Sequence, residues 1–111
     1  MIGGLFGDIP EVTPEEAKEL LATGGARYGL LDVRTPEEWA RYRIPGAVLI
    51  PLDELPARAG ELDKGREWIV LCKAGVRSAY ACAYLRQLGF RVRNLQGGIL
   101  AWWEAFGVET G

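Results

Sequence analysis

Residues 69–79 read Ile-Val-Leu-Cys-Lys-Ala-Gly-Val-Arg-Ser-Ala. An apolar run of strand length ends on Cys72, a short segment containing Gly75 follows, and a helical pattern begins around Ser78. Gly75 tolerates backbone angles that other residues resist, so the loop can curl and turn successive N–H groups toward one centre. The start of a helix adds about half a positive charge. Lys73 and Arg77 add formal cations. A thiol at that centre is expected to ionise well below the free value of about 8.5. The chemistry this implies is nucleophilic attack by a Cys72 thiolate, with Lys73, Ala74, Gly75, Val76 and Arg77 as the cradle for an anionic substrate. Many free cysteines are inert core groups. The strand-end position, the glycine and the cations favour the nucleophile here.

The rest of the composition narrows the choice. The 111 residues contain no histidine, which excludes a Ser-His or Cys-His couple, a histidine metal site and a histidine base. The two cysteines lie ten positions apart, unlike a zinc site or a Cys-x-x-Cys pair. Neither metal nor cofactor is expected. Thirteen basic and fifteen acidic side chains leave a formal charge of -2, so nothing points to nucleic acid or a membrane. The start of the chain lacks the basic and long apolar regions of a signal peptide, and the expected compartment is the cytoplasm.

Positioning such a loop requires strands and helices in alternation. Thr13-Pro14-Glu15-Glu16 and Thr35-Pro36-Glu37-Glu38 are both helix starts, with a Thr cap, a Pro at the first helical position and a Glu to complete a capping box. The first helix is predicted to end at Gly24-Gly25 and the second near Tyr42. Strands are predicted at Leu30–Val33, Ala47–Ile50, Trp68–Cys72 and Val92–Leu95, and a short helix at Asp53–Ala59. A helix from about Ser78 carries Ala79, Cys82, Ala83, Leu85 and Leu88 as its buried stripe, and Gly89 caps it. A final helix after Gly97-Gly98 should bury Trp102 and leave Trp103 partly exposed, since adjacent residues cannot share a helix face. Together these predict an α/β fold: a small, mostly parallel sheet flanked by helices on both faces, a three-layer arrangement with its site at the carboxyl ends of the strands. Residues 1–9 read as an N-terminal extension and residues 10–111 as a single domain.

Cys72-Lys73-Ala74-Gly75-Val76-Arg77-Ser78 resembles the active-site loop of the rhodanese family, commonly Cys-x-x-Gly-x-Arg-Ser. Two further stretches are similar to that family. One is Asp32-Val33-Arg34 with Glu37-Glu38-Trp39 and the turn Ile44-Pro45-Gly46-Ala47; the other is Gly97-Gly98-Ile99-Leu100-Ala101-Trp102. Where many members carry Gly-His before the turn, this chain has Tyr42-Arg43. The resemblance implies sulfur transfer by double displacement. Cys72 takes a sulfane sulfur from a small anionic donor such as thiosulfate and passes it to cyanide, a thiol or an acceptor protein. It also implies a supporting place near the loop for Asp32, Arg34 and Ser78, ion-paired or bonded to its backbone. Arg77 is expected either to bind donor oxygens or to hold the loop through a carboxylate. Lys73 is expected to be an exposed charge that attracts anions, and Cys82 a buried apolar group rather than a resolving thiol. The glutamates at the helix starts need no catalytic role. Two other functions compete. Cysteine phosphatases and arsenate reductases use Cys-x5-Arg loops, one residue longer than the Cys-x4-Arg here. A non-turnover persulfide carrier or docking module would share the same loop.

Overall fold

The computed structural model describes residues 9–111. A short strand β1 (Glu11–Val12) leads into helix α1 (Pro14–Gly24), where the Thr13 hydroxyl accepts from the Glu16 N–H and the Glu16 carboxylate accepts from the Thr13 N–H. Next come β2 (Tyr28–Asp32) and α2 (Pro36–Arg41), whose start repeats the same box with Thr35 and Glu38. β3 (Tyr42–Arg43), β4 (Val48–Leu49) and the single-turn helix α3 (Leu55–Arg58) follow. The chain then runs through β5 (Glu67–Leu71), α4 (Val76–Gln87), β6 (Arg91–Leu95), α5 (Gly98–Phe106) and β7 (Glu109–Thr110).

The main sheet has the order β1-β6-β5-β2-β4, and every neighbouring pair in it is parallel. Its central strand β5 is buried on both faces, and its side chains alternate between two cores. Ile69 and Leu71 pack with Ala17, Leu95, Ile99 and Trp102, on the side of α1 and α5. Trp68 and Val70 pack with Leu55, Ala81, Cys82 and Leu85, on the side of α3 and α4. Cys72 continues this period of two and therefore lands on the α4 side. The α/β architecture read from the sequence is the one observed.

Several details differ from the sequence reading. β1 and the antiparallel β3–β7 ribbon were not expected, because two-residue strands carry too little periodicity to read. The helix predicted over Asp53–Ala59 is divided into α3 and flanking 3-10 turns at Leu52–Glu54 and Ala59–Glu61. Helix α4 begins two residues earlier than predicted, at Val76, so Arg77 and Ser78 lie in its first turn. Leu88 stands at its C-cap and is exposed rather than part of the buried stripe. Trp102 is buried and Trp103 half-exposed, as expected. Of the expected extension, Ile9 packs against the α4-side core, and residues 1–8 lie outside the described residues. No helix among the described residues is long and apolar enough to cross a membrane.

The carboxyl end of β2 carries a buried ion pair. Arg34 donates from Nε and Nη2 to the Asp32 carboxylate at 2.8–3.0 Å, and from Nη2 to the Tyr42 carbonyl at 2.8 Å. Both side chains are fully buried. Arg34 Nη1 has no hydrogen-bond partner among the described residues and the guanidinium lies over the Tyr42 ring. The pair thereby ties the end of β2 to β3. Removing one partner strands the other charge away from water. Arg34→Met should therefore lower the unfolding free energy by about 3–5 kcal/mol in a urea titration, and Asp32→Leu combined with it should restore part of that loss. A single variant as stable as the parent would contradict this account.

Candidate active site

Cys72 directly follows β5 and is 1% exposed. Three residues later Gly75, at φ +113°, forms the N-cap of α4. The Gly75 N–H donates to Cys72 Sγ at 3.1 Å, and the positive φ turns the chain that follows straight into the helix. The Ser78 hydroxyl reaches the same sulfur at 3.3 Å. Burial pushes the thiol up. The Ser78 hydroxyl and the N–H groups of Ser78, Gly75 and Ala74 more than offset that, so its pKa lies below the ordinary thiol value. Local hydrogen bonds favour the thiolate, and the Arg77 charge interacts with it as well.

Helix α5 holds the loop from the other side. The Ile99 N–H donates to the Cys72 carbonyl at 2.9 Å and the Leu100 N–H to the Lys73 carbonyl at 3.2 Å. The helix start can approach this closely because residue 98 is glycine. A Cβ there would lie 2.3 Å from the Lys73 carbonyl oxygen and 2.7 Å from that of Cys72, and its φ is +61°. The Gly97-Gly98 pair is thus the seat of the nucleophile's own backbone.

Arg77 forms a bidentate ion pair. Both of its terminal nitrogens donate to Glu38 of α2, Nη1 to Oε1 at 2.6 Å and Nη2 to Oε2 at 2.9 Å. The guanidinium holds the Glu38 carboxyl down at about 2. The pairing is therefore intact at neutral pH, and its contribution fades only as the pH falls from the ordinary carboxylate range toward 2. The pair ties the first turn of α4 to α2. Lys73 and Ala74 are exposed on the rim, as is Val76 at 68%. Asp32 and Arg34 are paired with each other, and Arg34 also donates to the Tyr42 carbonyl. Asp32 still lies near enough to favour the charge on Arg77. Cys82 is sealed in the core, where burial pushes its thiol up to about 12.

Two residues of the site went unread in the sequence. Glu38 was accounted for by its capping box, and one carboxylate serves both tasks. Asn94 of β6, 4% exposed, accepts from the Ser78 hydroxyl at 2.6 Å and donates from Nδ2 to the Gly75 carbonyl at 3.1 Å. A lone amide inside the strand pattern Arg91-Val92-Arg93-Asn94-Leu95 was the available signal.

The chain is similar to several known proteins. The family model of the rhodanese-like domain matches residues 13–105. A protein of Allochromatium vinosum named sulfurtransferase is 49% identical over 74 residues, covering 66% of this chain and 69% of that protein. The putative sulfurtransferase YtwF of Bacillus subtilis is 38% identical over 95 residues, covering 86% of this chain and 91% of its own. The crystal structure of a rhodanese-like domain protein from Staphylococcus aureus superposes with a TM-score of 0.82 at 35% identity, over 93% of this chain and 99% of the other.

The geometry predicts unequal thiols. Iodoacetamide at neutral pH should modify Cys72 in the native protein and Cys82 only after unfolding; equal rates at both would contradict the assignment. Gly98→Ala drives a methyl group into the Cys72-Lys73 backbone. It should raise the pH midpoint of Cys72 alkylation, on the order of one unit.

Proposed function

The chain belongs to the rhodanese-like domain family, and from that premise we propose that it moves a sulfane sulfur from an anionic donor such as thiosulfate, through a persulfide on Cys72, to a thiol or cyanide. The observation that carries this reading is the convergence of two donors on one buried sulfur, the Gly75 N–H at 3.1 Å and the Ser78 hydroxyl at 3.3 Å. They stabilise an anion at that point without a base, and this chain has no histidine to act as one.

In the first step the Cys72 thiolate attacks the outer sulfur of thiosulfate. A bond forms between Sγ and that sulfur. The bond to the sulfonate sulfur breaks with its electron pair, and sulfite leaves. In the second step cyanide attacks the outer sulfur of the persulfide. The S–S bond breaks, its electron pair returns to Cys72 as thiolate, and thiocyanate leaves. Ping-pong kinetics follow from the two half-reactions. Phosphoryl chemistry fits less well, because the loop is one residue short and both ends of the Arg77 fork are occupied by Glu38. The free thiols suit a reducing compartment, with the cytoplasm as the proposed location.

Intact-mass measurement tests the assignment. Thiosulfate should add one sulfur atom to the protein and cyanide should remove it, with no adduct on Cys72→Ser. An adduct retained in that variant and lost in Cys82→Ser would overturn it. Steady turnover of thiosulfate and cyanide supports a free enzyme, whereas stoichiometric loading without turnover marks a carrier.

Arg77 and Lys73 should contribute unequally. Arg77→Ala releases the loop from α2 and should lower the transfer rate about tenfold or more, equivalent to about 1.4 kcal/mol, at any salt concentration. Glu38→Gln should lower it in the same direction. Lys73→Ala should raise the Michaelis constant for thiosulfate modestly, and added salt should erase the difference. Steady-state rates at low and high ionic strength check both; identical behaviour of the Arg77 and Lys73 variants would refute the distinction.

A further inference from the structure

An amide in the middle of a buried parallel strand needs a reason. Asn94 pairs with Val70 of β5 and Glu11 of β1, and its N–H donates to the Pro10 carbonyl at 2.9 Å, so the backbone is held on both sides. Its side-chain orientation is fixed by chemistry. The Gly75 carbonyl can only accept, so the group 3.1 Å from it is the amide nitrogen, which turns Oδ1 toward Ser78.

Ser78 Oγ therefore has two acceptors within reach and one proton to give. Asn94 Oδ1 lies at 2.6 Å and Cys72 Sγ at 3.3 Å. With neutral sulfur, the shorter contact to a carbonyl oxygen is the stronger, and the hydroxyl donates to Asn94. The thiol can then donate to a Ser78 lone pair, giving the chain S–H to Oγ–H to Oδ1. When Cys72 ionises, the sulfur can only accept, and charge makes it the better acceptor. The hydroxyl turns to the sulfur and leaves Asn94 Oδ1 without that donor.

We infer that Asn94 is a positioning residue that competes with Cys72 for the Ser78 proton, so that the sulfur gains its side-chain donor only while it is anionic. Resting on the sulfur-transfer reading, the exchange follows the cycle. In the persulfide the charge resides on the outer sulfur, the inner Sγ becomes a poor acceptor, and the hydroxyl returns to Asn94. The competition also keeps the resting thiolate less stabilised, and hence more nucleophilic, than an uncontested Ser78 would. The other charged or titratable groups around the sulfur are Lys73 on the loop, Arg77 on α4 with Glu38 of α2 against it, Asp32 of β2 and the buried Cys82. The first turn of α5 brings no acidic residue.

The test is the alkylation rate of Cys72 against pH in the full chain. Asn94→Ala frees the hydroxyl for the sulfur and should lower the midpoint, on the order of one unit. Ser78→Ala should raise it, and Ser78→Thr, which keeps the hydroxyl, should leave it near the parent value. In the Ser78→Ala background, adding Asn94→Ala should produce no further downward shift, because the effect runs through the hydroxyl. If Asn94 merely supports the loop through the Gly75 carbonyl, Asn94→Ala should raise the midpoint in both backgrounds, and that result overturns the inference. Should the alanine variant not fold, Asn94→Val, suited to a buried strand, gives the same readout. An unchanged midpoint in Ser78→Ala also overturns it. Alkylation needs no sulfur donor, so its outcome is separate from persulfide formation, whose absence in the parent protein would refute the transfer reading instead.

Discussion

Burial drives the Cys72 thiol toward its neutral form, and the surroundings of that sulfur are arranged to push the other way. Solvation lost at the end of a buried strand is replaced by the Gly75 N–H, fixed by the backbone before any charge develops, and by the Ser78 hydroxyl, within reach of the same atom once it is anionic. This requirement explains the local order of the chain. The sulfur must lie on the α4 side, so the strand alternation has to reach residue 72 in phase. The loop must curl within three residues, so position 75 needs a positive φ. The helix must begin at once, so that Ser78 falls in its first turn.

A nest of backbone donors is only as good as the rigidity of the backbone that carries it. Here the restraint comes from three separate elements. Helix α5 takes the carbonyls of Cys72 and Lys73, α2 takes the Arg77 side chain, and β6 takes the Gly75 carbonyl through Asn94. Each attachment uses a different kind of group, and together they hold the beginning, middle and end of the loop. The buried Asp32–Arg34 pair acts one layer further out, joining β2 to the ribbon strand β3.

Much of this was legible in the residues. The two Thr-Pro-Glu-Glu segments set both helix starts, the apolar run before Cys72 set the central strand, and Gly75 marked the turn. What was not legible were pairings between distant positions. Nothing near Arg77 announces that its carboxylate lies 39 residues away, and Glu38 already had a sufficient local explanation. The β3–β7 ribbon is likewise a long-range pairing of segments too short to show a period. Asn94 illustrates a different limit. Its polarity was visible, but its significance depends on Ser78 and Gly75 arriving at the same place.

The state of Cys82 bears on how long a loaded sulfur would last. In many thiol systems a second cysteine attacks the first and closes a disulfide, discharging whatever the first one carried. Cys82 is fully buried and stays protonated far into the alkaline range, so it makes a poor attacking group from where it stands. A sulfur atom on Cys72 would have no exit through this chain's other thiol. Its residence time would then be set by the arrival of an outside acceptor, and the domain would serve as a reservoir whose release is timed by its surroundings.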